Sequence, residues 1–142
     1  MAPLIVLIAV FVVSVWPLGW WTALRLALCA MFLLTASAHW GRRRPDLIRM
    51  VPAGIPNAGA MVTVTGICEI LGAIGLLIPA VAPYAAIGLT LLLLAIFPAN
   101  VRAAREQLSI AGTPAMPIVA RTLVQIVFLT ATIGVVAGAW LR

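Results

Sequence analysis

Residues 58–79 read AGAMVTVTGICEILGAIGLLIP, and Glu69 is the one acidic or basic side chain among them. At about 1.5 Å per residue, a helix of this length reaches across the roughly 30 Å hydrocarbon core of a bilayer. Its apolar residues run continuously instead of forming one stripe, so lipid and not water is the solvent such a helix suits. Working outward, similar apolar blocks occupy about 2–18, 20–40, 82–98 and 117–141. The prediction is an all-α transmembrane helical bundle forming one membrane domain over residues 1–142.

Composition agrees with that class. Of the 142 residues, 65% are hydrophobic and 8% charged, and the mean hydropathy is +1.22, beyond what a soluble fold requires. The net charge of +6 comes from nine basic residues, all Arg and mostly in short connections between apolar blocks. Arginines placed there set topology and meet anionic headgroups, so nucleic acid is set aside as a partner.

Block one runs from Pro3 to Trp16 before Pro17 and Gly19 stop it. It reads as a spanning helix, an interfacial segment or a signal-peptide core; without a basic leader and a small-residue cleavage site, a retained helix is expected. Trp16, Trp20 and Trp21 then form an interfacial aromatic belt. Pro79 and Pro83 force a tight uncharged hairpin between blocks three and four. The 41–57 connection interleaves Arg42, Arg43, Arg44, Asp46 and Arg49 with Leu47, Ile48, Met50 and Val51, as a short interfacial amphipathic helix would. The 99–117 connection carries Arg102, Arg105 and Glu106 and is expected to lose regular structure around Gly112, Pro114 and Pro117. If all blocks span, seven arginines (Arg42, Arg43, Arg44, Arg49, Arg102, Arg105, Arg121) lie on one side and two (Arg25, Arg142) on the other. That asymmetry places the N-terminus and both long connections in the cytoplasm and the C-terminus outside, in a membrane of the bacterial inner-membrane type.

Ionisable groups within apolar blocks carry the most information, because a charge at mid-bilayer costs about 2.5–3.5 kcal/mol on insertion scales. Here they are Arg25, His39, Glu69 and Arg121. Gly59, Gly66 and Ala73 recur every seven residues as a small-residue packing face, and Glu69 falls about 60° from it, pointing into the bundle. Matching helix ends puts Arg25 and Glu69 about 8 Å apart in depth, so an ion pair between them is expected. His39, Asn100, Arg121 and Gln125 should share one level as a polar mouth, with Pro98 freeing the Leu94 carbonyl as an acceptor. Three readings stay open: interhelical glue, a polar-lined pocket for an apolar ligand with a polar head, and a proton or ion path.

Cys29 and Cys68 sit in apolar blocks without a CxxC pair and read as buried thiols; both lie near mid-membrane, but Cys68 points away from the small-residue face, against a disulfide. One His cannot supply two haem ligands or a His-rich metal site, and the absence of Lys removes Schiff-base chemistry. Ser109, His39 and Asp46 could be drawn as a triad, yet Leu108-Ser109-Ile110 is unlike a nucleophile elbow. No catalytic constellation is complete, so the chain is not expected to be an enzyme on its own, and no metal is implied.

Arg25, His39-Trp40, Met50-Val51-Pro52 and Ile55-Pro56 are followed by Thr65-Gly66-Ile67-Cys68-Glu69-Ile70-Leu71-Gly72 and by Phe97-Pro98-Ala99-Asn100-Val101. Over about residues 22–102 this pattern resembles the DoxX-like membrane proteins. Ala36 stands where that family usually has Gly before the His-aromatic pair, and block one is extra to its four-helix core. The resemblance implies a four-helix transmembrane core and an association with membrane redox or quinone-linked systems. The expected function is an accessory subunit or ligand-binding bundle in which Arg25, His39, Glu69, Asn100, Arg121 and Gln125 form a polar cluster for a quinone or lipid headgroup. The alternatives are an assembly factor holding another membrane protein through the Gly59, Gly66 and Ala73 face, and a small transporter; a homo-oligomer also stays open as a partner.

Overall fold

The computed structural model describes residues 1–110, 112–114 and 116–141. Among them are helices α1 (Ala2–Leu18), α2 (Trp20–Ser37), α3 (Arg44–Met50), α4 (Ala58–Leu77), α5 (Ala82–Arg105) and α6 (Ile118–Trp140). A two-stranded antiparallel hairpin, β1 (Ser109–Ile110) and β2 (Thr113–Pro114), precedes α6. The fold is an all-α bundle, and α2, α4, α5 and α6 are each long and apolar enough to cross a membrane.

Local chemistry sets the helix ends. Gly19, at φ 76°, joins α1 to α2 through a backbone conformation that residues with a Cβ rarely adopt. Asn57 caps α4 by accepting the Ala60 amide on its side-chain oxygen at 3.2 Å, and Pro79 follows the end of that helix. Pro83 begins α5 and Pro117 immediately precedes α6. Pro98 does not end α5, which continues to Arg105. The chain that was expected to leave the helix near residue 98 thus gains two more turns and then a hairpin. Membrane helices tolerate an internal Pro when neighbouring groups satisfy the freed carbonyls.

Helices α2, α4, α5 and α6 form the core ring, and α1 packs on the outside of α2. Within the chain 39% of the α2 window is buried, against 17–28% for the other three spans, so α2 is the central helix. Phe32, Leu28, Met31, Leu76 and Leu89 fill the interior. Lipid tails are as apolar as these side chains, so close van der Waals packing must hold the helices together. Glycines supply it: a Cβ on Gly72 would stand 2.5 Å from Leu89 of α5, and one on Gly75 2.8 Å from Ala85.

A smaller apolar cluster closes the arginine-rich end. Met50 and Ala103 are buried there against Leu47, Ala99, Leu108 and Ile110, which docks α3 onto α5 and the hairpin. The structure therefore contains the short helix expected in the 41–57 connection.

Candidate functional site

The polar groups of the spans separate into two sets. Between α2 and α4, the Thr35 hydroxyl stands 2.8 Å from Glu69 Oε2, and Glu69 is 3% exposed. The same hydroxyl is 2.9 Å from the Phe32 carbonyl, so one proton is shared between two acceptors. His39, in the turn after α2, donates from Nδ1 to the Thr35 carbonyl at 3.3 Å. Its ring lies across Gly66, where a Cβ would be 2.8 Å from the His39 Cβ and from Trp40. Burial pushes the His39 pKa below its ordinary value; backbone contacts with Thr35 and Ala36 oppose this, and the Arg44 charge reinforces it.

Arg44 fastens this end. Its guanidinium donates to the His39 carbonyl at 2.8 Å, the Gly59 carbonyl at 3.1 Å and the Thr63 hydroxyl at 2.9 Å. One side chain thereby ties the end of α2 to the first turns of α4.

The second set lies between α5 and α6. Gln125 donates to the Leu93 carbonyl at 2.7 Å, and the Thr90 and Thr132 hydroxyls meet at 2.9 Å. Arg121 Nη1 donates to Asn100 Oδ1 at 2.6 Å, while Arg121 Nε is buried without a hydrogen-bond partner. The backbone acceptor near Pro98 is thus the carbonyl of Leu93, one residue before the expected Leu94.

Several expectations change. Among the described residues no ion pair joins Arg25 to Glu69. Helix α4 begins beyond the end of α2, where Arg44 holds it, and this slides Glu69 opposite Thr35. Arg25 lies about 15 Å along α2 from that level and faces Pro79 instead. No described contact brings His39 to Asn100, Arg121 or Gln125, so the single polar mouth becomes an α2–α4 set and an α5–α6 set. Gly66 and Ala73 are buried within the chain, whereas Gly59 is half-buried, a Cβ there would only just touch Asn57 and Ile48, at 4.0 Å, and the residue serves through its carbonyl. Cys29 is buried and Cys68 exposed, both free. Asp46 pairs with Arg49, and His39 turns to Thr35, so the drawn triad with Ser109 does not assemble. Arg142, counted toward topology, lies outside the described residues.

Two clefts flank the bundle. One, of about 330 Å³, opens beside Leu34, Ser37, Arg42 and Arg43. The other, of about 280 Å³, lies at the opposite end between Arg25, Trp21, Pro79, Pro83 and Gly138. Sequence reasoning missed Thr35, Arg44, and the Thr90–Thr132 pair. The visible signal for Thr35 is its position one helical turn before His39.

A family model described as "Domain of unknown function (DUF8561)" matches residues 28–140. The chain belongs to that family. The DUF8561 match takes in both polar sets and leaves α1, Trp21 and Arg25 outside it. No curated protein and no solved structure matches the chain.

Proposed function

We propose that the protein is an accessory bundle of the membrane that carries an anionic phospholipid at its arginine-rich end. The observation that carries this reading is the cleft where exposed Arg42 and Arg43 stand beside the apolar side chain of Leu34. A guanidinium next to an apolar wall suits a phosphate joined to an acyl chain. Polar groups between the helices are meanwhile engaged within the chain: Thr35 with Glu69, Asn100 with Arg121 Nη1, and Gln125 with the Leu93 carbonyl. That pairing supports glue inside and ligand contact at the ends.

The arginine asymmetry supports placing the N-terminus and long connections on the cytoplasmic side of a bacterial inner membrane, where the leaflet surface is negative. The resemblance to DoxX-like proteins supports a post beside a membrane redox system, with quinone as the rival ligand of the same cleft. Capture of another membrane protein through the Gly66 and Ala73 face has less support, because that face is buried in the chain.

The test is thermal unfolding in a neutral detergent with added lipid. A ligand that binds only the folded state raises the melting temperature. Phosphatidylglycerol should raise it more in the native protein than in an Arg42→Gln, Arg43→Gln variant. An equal rise with phosphatidylcholine overturns the reading, and a rise with ubiquinone alone transfers the cleft to the rival ligand.

A further inference from the structure

We infer that the cleft around Arg25 is a second anion site, which takes a phosphate group at headgroup depth on the opposite side of the membrane from Arg42 and Arg43. It goes beyond the lipid contact proposed above and rests on different residues.

The first observation is a charge without a counterion among the described residues. Arg25 is half-buried, and among the described residues it makes no hydrogen bond or ion pair. The chain has three acidic residues, Asp46, Glu69 and Glu106. Asp46 and Glu106 pair with Arg49 and Arg102 at the other end, and Glu69 is held by Thr35 about 15 Å along α2 from Arg25. A half-buried guanidinium near the end of a span attracts an anion, and that anion must come from outside these three carboxylates.

The second observation is a half-open cleft. Arg25 opens into the cleft of about 280 Å³ whose rim includes Pro79 and Pro83. Proline has no amide hydrogen, so these two residues add shape and no donor. Trp21 walls the cleft against Gly138, where an added Cβ would run into its ring. The close approach of α2 and α6 at that glycine fixes the wall.

The third observation is depth. Trp16, Trp20 and Trp140 gather at this end and are 90%, 59% and 79% exposed. Tryptophans concentrate at the headgroup level of a bilayer. Arg25 starts about 7.5 Å along α2 from Trp20, within reach of that level for a long side chain extending outward. Its fork of donors matches phosphate oxygens two at a time. A phospholipid headgroup and free phosphate share this chemistry.

The experiment is native mass spectrometry of protein released from phosphatidylcholine nanodiscs, in one arm doped with phosphatidylglycerol and in the other bathed in inorganic phosphate. In the Arg42→Gln, Arg43→Gln background, where this site alone is read, Arg25→Gln should lower retention of the anion roughly tenfold, the size of one charge-assisted interaction. Ala139 also lines the cleft, and Ala139→Leu, which fills it with Arg25 in place, should do the same, which keeps the test decisive if Arg25→Gln does not fold. Arg42→Gln, Arg43→Gln should leave this anion bound. Arg25-dependent retention in the first arm names a lipid headgroup, and in the second free phosphate. Equal retention with and without the cleft substitutions in that background, in both arms, overturns the site.

Discussion

Thr35 of α2 and Glu69 of α4 meet at 2.8 Å, the contact into which Arg44 brings the two helices. Glu69 is 3% exposed, so removing its partner leaves a carboxyl group with no water to replace it. Thr35→Val should cost about 1–3 kcal/mol in a denaturant titration of the solubilised protein. Adding Glu69→Leu to Thr35→Val should recover part of the loss, because both polar partners are then gone. If the double variant is less stable than Thr35→Val alone, Glu69 has another buried partner.

Gly66 and Gly88 give a paired prediction about packing. A Cβ at Gly66 would stand 2.8 Å from His39 and Trp40, while one at Gly88 would meet nothing within 4 Å. Gly66→Ala should destabilise by about 1–3 kcal/mol through overpacking. Gly88→Ala should be neutral or slightly stabilising, since Gly costs up to about 1 kcal/mol relative to Ala in a helix. Equal effects at the two positions would contradict the α2–α4 contact described above.

His39 makes stability depend on pH. Its folded pKa lies below the ordinary 6.5 because burial disfavours the imidazolium. As pH falls through 6.5 the unfolded chain takes up the proton first, so stability declines until the lower folded value is passed and then levels. Above 6.5 this contribution is constant. Unfolding midpoints measured from pH 8 to 5 should show that decline in the native protein and a shallower one in His39→Gln.

The spans were legible because uninterrupted apolar blocks and prolines are strong signals, and residues 58–79 alone fix the class. The alignment of α4 against α2 was not. It depends on Arg44, which nothing in the run Arg42-Arg43-Arg44 distinguishes from its neighbours, yet Arg44 alone of the three turns back to Gly59 and Thr63. Thr35 was hidden for a related reason. Threonines in apolar helices often bond only their own preceding turn, as Thr65 and Thr130 do here. The passage of α5 through Pro98 was missed because the same proline would end most helices in water.

Asn100 and Arg121 test the other polar set. Arg121 donates to Asn100 at 2.6 Å and keeps a second nitrogen buried and unpartnered. Asn100→Leu should therefore lower stability, and Arg121→Met in the same background should restore some of it. A double-mutant cycle in detergent measures this coupling, which should be clearly non-zero.

The central claim is that polar residues inside the bundle hold helices together while arginines at its ends hold ligand. The most direct measurement is the amount of anionic lipid retained after gentle extraction in native lipid, read by native mass spectrometry for the native protein, Glu69→Gln, and Arg42→Gln, Arg43→Gln. The account predicts that Glu69→Gln keeps the native complement of lipid and that the double arginine variant loses part of it. Loss of a bound lipid or quinone in Glu69→Gln, with full retention in the arginine variant, would contradict the account and move the ligand into the interior.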